Sequence, residues 1–219
     1  MFGGKKAKSS SPTPTPTQPK SSNSATIINS GMTITGNLAG NDSVHIDGKV
    51  IGDIVVKNSI IIGKSGVVEG NIKSNNIIIN GELKGTIQSE IVEVMKTGKV
   101  SHKIQAKHIT LDGSIEGEII ALESINILEN SVIEAKKMES KKITVHGKIN
   151  GKVVATEILE IGSKGFVEGQ ITVKNIKTEE GGRMIGTMST YQEMTTPKSV
   201  RKTNSSSPKS EDDDFFKSK

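Results

Sequence analysis

The chain has 219 residues, 29 basic and 24 acidic side chains, a formal net charge of +5, no Cys, no Trp and only 2% aromatic residues. Without Cys, disulfide scaffolds and thiolate metal centres are excluded, and a reducing compartment fits. So few rings also speak against an ordinary globular core, which at this length would use several.

Residues 1–26 contain "SSSPTPTPTQPKSSNS", with almost nothing to bury, and read as a disordered tail. They hold four Lys and no acid, so most of the net charge sits here. The opening "MFGGKKAKSS" has no hydrophobic region after its lysines, and no apolar run in the chain approaches the roughly 18 residues of a membrane span. A cytoplasmic location is therefore expected. Gly3 is not adjacent to Met1, so a myristoylation signal is not formed. Met1 and Phe2 beside Lys5, Lys6 and Lys8 form an apolar tip with a basic cluster, the candidate membrane contact. The competing reading of this tip is a solubilising start to the tail.

From residue 27 onward one phrase recurs: "HIDGKVIGDI" at 45–54, "IIINGELKGTI" at 77–87, "ITLDGSIEGEI" at 109–119 and "ITVHGKINGKV" at 143–153. Gly48, Gly81, Gly113 and Gly147 mark one phase of it, at steps of 33, 32 and 34 residues. A second phrase alternates with the first: "IIIGKSGVVEGNI", "VEVMKTGKVSHKI", "INILENSVIEAKKM" and "LEIGSKGFVEGQI". Taking one aliphatic residue per copy gives Ile46, Ile62, Ile79, Val94, Leu111, Ile127, Val145 and Ile161, with steps of 16, 17, 15, 17, 16, 18 and 16. A fixed period over most of a chain signals a repeat architecture. Within a copy, Val44, Ile46, Val50 and Ile54 alternate with polar residues, the period of a half-buried strand, and glycines supply the bends. Ile, Val, Thr and Gly dominate, and no apolar stripe recurs at helical spacing. Three short strands and their corners close one turn of a β-solenoid, so about ten coils at about 4.8 Å each predict an all-β rod of order 45 Å over residues 27–188.

The rod holds 18 Lys and one Arg against 19 acids, so it is neutral. Nucleic-acid binding would need an electropositive stripe with stacking aromatics, and is not expected. "NSIIIGKSG" imitates a phosphate loop, but Asn58 stands where its first Gly belongs and "VVEGNI" cannot supply the helix that follows. His45, His102, His108 and His146 fall at unrelated phases, as solvated surface residues would, whereas a metal site on stacked coils would align them. Asp47, Asp53, Glu69 and Glu118 face outward among lysines, and nothing selects a catalytic pair. No catalytic residue, cofactor or metal site is assigned. Residues 189–219, ending "KTNSSSPKSEDDDFFKSK", read as a second disordered tail.

The repeated "HIDGKVIGDI" and "IGKSGVVEGNI" phrases, the closing "GGRMIGTM" and the two tails resemble the bactofilins, bacterial polymer-forming cytoskeletal proteins. The resemblance implies a right-handed, roughly triangular β-helix that assembles into nucleotide-independent filaments, like end to like end. It also implies a place at the inner membrane and a scaffold role for cell-wall enzymes and cell shape. "VEVMKTGKVSHKI" and "INILENSVIEAKKM" depart from it by losing glycines, so bulges or altered corners are expected near 95–103 and 128–141. The alternative is a left-handed hexapeptide-type solenoid acyltransferase. Ile62 and Val68 do stand six apart, but Ile46, Val50 and Ile54 step by four and the coil is too short.

Terminal coils of a solenoid expose unpaired backbone groups and an open lumen, a template for another copy. The expected polymerisation surface comprises Ile27, Ile28, Met32 and Ile34 at one end and Phe166, Met184, Ile185 and Met188 at the other, with Phe166 in the apolar end-face of the last coil.

Overall fold

The structure is a computed structural model that describes residues 25–192, so the predicted tails lie outside the described residues except for 25–26 and 189–192. Every element among the described residues is a β-strand, and all pairings are parallel. The chain winds through three faces per coil. The first face stacks 25–28, 43–46, 59–62, 76–79, 91–94, 108–111, 124–127, 142–145, 158–161 and 175–178, which counts ten rungs. Strands such as Thr33–Thr35 and Lys49–Ile51 build the second face, and Leu38–Gly40 and Ile54–Val56 the third. In the later coils single long bent strands run through the second, third and following first face, for example Lys148–Ile161, whose pairing with the next coil shifts register once, between Ala155 and Ile158.

The predicted β-solenoid is the observed fold. Each coil must place aliphatic residues inward and leave no backbone group unpaired. Strand alternation achieves the first and in-register stacking the second. The residues Ile46, Ile62, Ile79, Val94, Leu111, Ile127, Val145 and Ile161 form one lumen ladder, each no more than 1% exposed. A second ladder runs Val50, Val68, Leu83, Val100, Ile115, Ile133, Ile149 and Val167, and a third runs Ile54, Ile72, Ile87, Ile104, Ile119, Met138, Val153 and Ile171. At roughly 1.5 to 3 kcal/mol for each buried aliphatic side chain, these ladders dominate stability.

The glycines fall into two corner columns. In the first, a Cβ at Gly81 would meet the backbone oxygens of Gly66 and Gly63 in the coil before. Ser131 occupies this column where the sequence loses its glycine. Its hydroxyl lies 2.6 Å from the Leu111 carbonyl and 2.7 Å from the Leu128 carbonyl and shares its one proton between them, so the intruding side chain is bonded in place. The second column, Gly52, Gly70, Gly85, Gly117, Gly151 and Gly169, has φ between +130° and +154°.

Two positions in that second column are not glycine, and each is resolved differently. Ala135 abandons the conformation: opposite Gly117 and Glu118 the chain inserts an extra residue, pairing Ala135 and then Lys137. This is the bulge expected near 128–141. His102 keeps the register, pairing with Gly85 and Gly117 without a shift, so the irregularity expected near 95–103 is corrected. The coil stays regular because His102, the one non-glycine residue among those described to do so, adopts a left-handed backbone, φ +100°, a conformation L-residues disfavour. Replacing it with glycine removes strain of about 1 to 3 kcal/mol, offset in part by the greater freedom of glycine in the unfolded chain. His102→Gly is expected to raise the thermal midpoint, read by circular dichroism. A fall would mean that the imidazole makes a compensating contact.

Charged side chains bridge coils on the outside. Lys49 reaches Glu69 at 3.2 Å, Lys103 Glu118 at 3.0 Å, Lys141 Glu123 at 2.9 Å and Lys142 Glu160 at 3.0 Å. Hydrogen bonds to Lys84, Lys107 and Lys142 lower the pKa values of Glu82, Glu90 and Glu160 respectively. A lowered carboxylate contributes stability above its ordinary range, lost as pH falls through the lowered value. These groups are solvated, so that contribution is small.

Candidate assembly surfaces

The ladders determine what each end of the rod presents. At the start, Thr26 and Ile28 stack on Val44 and Ile46, Ile34 on Val50, and Leu38 on Ile54. Ile28 is buried, while Ile34 and Leu38 are only partly covered. Between them the lumen opens as a cavity of about 180 Å³ lined by Thr26, Ile28, Ile34, Leu38, Val44 and Val56. At the other end Met184 stacks on Val167 and Met188 on Ile171. Their partners are 0% and 1% exposed, yet Met184 is 39% and Met188 54% exposed. Ile176, over the buried Leu159, completes this open face. Among the described residues no element covers either end.

This geometry sorts the predicted interface residues. Ile28, Ile34, Met184 and Met188 are lumen residues of the terminal coils. Met32 is exposed at a corner, and Ile27 and Ile185 project outward, in register with His45 and Glu168. Phe166 requires a correction. It lies one coil before the last and pairs with Lys148 and Arg183, two exposed residues, while its neighbour Val167 takes the lumen position. It therefore belongs to the outer wall and not to the terminal face. Hydrophobicity singled out Phe166 and Ile185, whereas ladder phase decides orientation. Phase would also have found Leu38 and Ile176, which had been missed. Met1, Phe2, Lys5, Lys6 and Lys8 lie outside the described residues.

The remaining polar candidates are scattered. His45 Nε2 stands 3.0 Å from Asp47 Oδ2, and His108 Nδ1 is 2.9 Å from Ser124 Oγ. The His146 ring lies where a side chain on Gly162 would have to go. Gly63, Lys64 and Ser65 form a corner of the third coil, where Ser65 Oγ donates to the Asp47 carbonyl at 2.9 Å. Among the described residues no cluster of three His, Asp or Glu could hold a metal, and no helix is long and apolar enough to cross a membrane.

The described residues form a ten-coil rod with an aliphatic lumen whose ladders reach both ends. A family model described as "Bactofilin: Polymer-forming cytoskeletal" matches residues 26–112 and again 106–189. The chain belongs to the bactofilin family. Each match covers about half of the bactofilin rod. The chain is 36% identical over 97 residues to "Bactofilin BacO" of Myxococcus xanthus (strain DK1622), covering 43% of this chain and 77% of that one. It is 30% identical over 91 residues to "Bactofilin BacP" of the same organism, covering 41% of this chain and 38% of that one, so it spans well under two thirds of BacP. No solved structure matches. The family is a structural, cytoskeletal one.

Proposed function

We propose that this bactofilin assembles end to end into filaments without a nucleotide, and that the filaments form a scaffold at the inner face of the cytoplasmic membrane. The observation that carries this reading is the open C-terminal coil, where Met184 and Met188 continue buried ladders into solvent. Covering them with another coil would satisfy free backbone groups and bury lumen side chains in one step. A neutral rod adds little net repulsion against stacking. Assembly then needs no energy source. Purified protein without nucleotide is expected to form filaments by electron microscopy and to pellet at high speed. Discrete small oligomers at every concentration would overturn the proposal and favour the acyltransferase alternative.

Membrane attachment rests on Met1 and Phe2 with Lys5, Lys6 and Lys8. One Phe contributes roughly 1.5 to 3 kcal/mol on burial and each Lys about 1 kcal/mol at an anionic surface. That is marginal for a monomer, but tips carried on one filament bind with avidity. Anionic liposomes should therefore co-sediment the wild type and release a deletion of residues 2–8. Equal binding by both would remove the anchor. Cell-wall-modifying enzymes are the proposed clients, recruited through the tails.

A further inference from the structure

The first and second faces of the rod differ in charge. Outward positions of the second face are charged on most rungs, as at Lys49, Glu69, Glu82 and Lys84. The first face is different. Its first four rungs carry no formal charge, and further on only Glu93, Lys142, Glu160 and Lys177 do, two of each sign. Lys142 neutralises Glu160 at 3.0 Å. The outward aliphatic side chains of this face are Ile27 and Ile91, which are exposed, and Ile61, Ile78 and Ile158, which are half-buried, among Ser, Thr, Asn and His. Polar groups here are already bonded to one another along the face: Ser43 Oγ to Ser59 Oγ at 2.9 Å, and His108 Nδ1 to Ser124 Oγ at 2.9 Å. Covering such groups costs little, because their hydrogen bonds need not be broken.

The first face is also the regular one. Register shifts fall between 106 and 108, 117 and 118, 120 and 124, 135 and 138, 140 and 142, and 155 and 158. None falls within a first-face rung, so ten rungs stack as one uninterrupted parallel sheet. Regular sheet faces of low charge pack against other sheets, whereas nucleic acid and anionic membranes require positive charge.

We infer that the first face is a lateral interface, and that its occupant is the first face of a second copy in a neighbouring filament. Four residues of width and ten rungs of height give about 13 Å by 48 Å, or roughly 600 Å² on each side. The two sides together reach only the lower edge of stable interfaces, about 1,200 Å². Single subunits therefore stay apart. The inference rests on the end-to-end assembly proposed above, because filaments repeat the contact along their length and each later contact is intramolecular. Self-complementarity follows from neutrality, since no block of like charge opposes itself.

The test compares low-speed sedimentation, which collects bundles, with high-speed sedimentation, which collects single filaments. Wild type is expected in both pellets, with bundling little changed by added salt because the charges on this face are few and balanced. Ile61→Lys with Ile78→Lys should lose the low-speed pellet, keep the high-speed pellet and show single filaments by electron microscopy. Val55→Lys, at a more exposed position on the third face, should behave like wild type. Thr110→Lys with Asn126→Lys repeats the test in the other half of the same face, should the first pair fold poorly by circular dichroism. Bundling by both double variants, or wild-type filaments that never bundle, overturns the lateral interface and leaves end-to-end assembly standing. Absence of a high-speed pellet from the wild type overturns both.

Discussion

A Met184→Lys, Met188→Lys double variant is expected to remain a folded subunit and to lose elongation at its C-terminal end. In the subunit both side chains are exposed, at 39% and 54%, so their ammonium groups stay hydrated and folding is little affected. In a joint, the same positions continue the ladders of Val167 and Ile171 and must be covered by the next coil. Each lysine would then be an unpaired buried charge, costing about 3 to 5 kcal/mol. Every 1.4 kcal/mol is about tenfold in an association constant, so even the lower figure raises the concentration needed for assembly more than about a hundredfold. High-speed sedimentation over a concentration series reads this directly, and thermal melts establish that the subunit is intact. The product also reports polarity. If like ends join, the blocked variant still pairs through its N-terminal coil and stops at dimers. If unlike ends join, it stops at monomers. Analytical ultracentrifugation separates the two. An unchanged critical concentration would remove Met184 and Met188 from the joint.

Met184 and Met188, and not Phe166, occupy the lumen positions of the last coil, and the reason is physical. Lumen residues were legible because burial on every coil forces an aliphatic side chain at one phase, and the eight residues from Ile46 to Ile161 repeat that demand. Phe166 broke the phase, yet it attracted attention because a lone aromatic is conspicuous. Position in the ladder outweighs hydrophobicity at this resolution, since adjacent residues on a strand face opposite ways. The glycine columns were partly legible. Their spacing marked the corners, but nothing local distinguished Ala135, where an extra residue forms a bulge, from His102, where the backbone absorbs the change at φ +100°. That choice depends on the length of the coil stacked beneath, a non-local property. The evenness of the first face was hidden for the same reason. Ser43 and Ser59 are unremarkable in sequence, and only stacking brings their hydroxyls to 2.9 Å.

Stacking also sets how the rod fails. Each coil touches only its neighbours, so stability is approximately a sum of coil terms and nearest-neighbour interfaces. Ile127 lies in the seventh rung of the first face, 0% exposed, between Leu111 and Val145. Ile127→Asp places a carboxyl there without a partner, at a cost of several kcal/mol whether it stays charged or takes up a proton. In a globular domain such a defect would unfold the whole molecule. Here the rungs before it retain their own ladders, and the family match to residues 26–112 alone covers that stretch. The relative of which 97 matched residues form 77% indicates that shorter chains of the family exist. The expected result is two unfolding transitions in denaturant, where the wild type shows one, and a protease-resistant N-terminal fragment ending near residue 112, identified by mass spectrometry. Ile34→Asp, at the end of the rod, should only fray its own coil and leave the main transition in place. A single transition for Ile127→Asp, shifted as a whole with no resistant fragment, would show that the ten coils fold as one cooperative unit and that nearest-neighbour additivity fails in this rod.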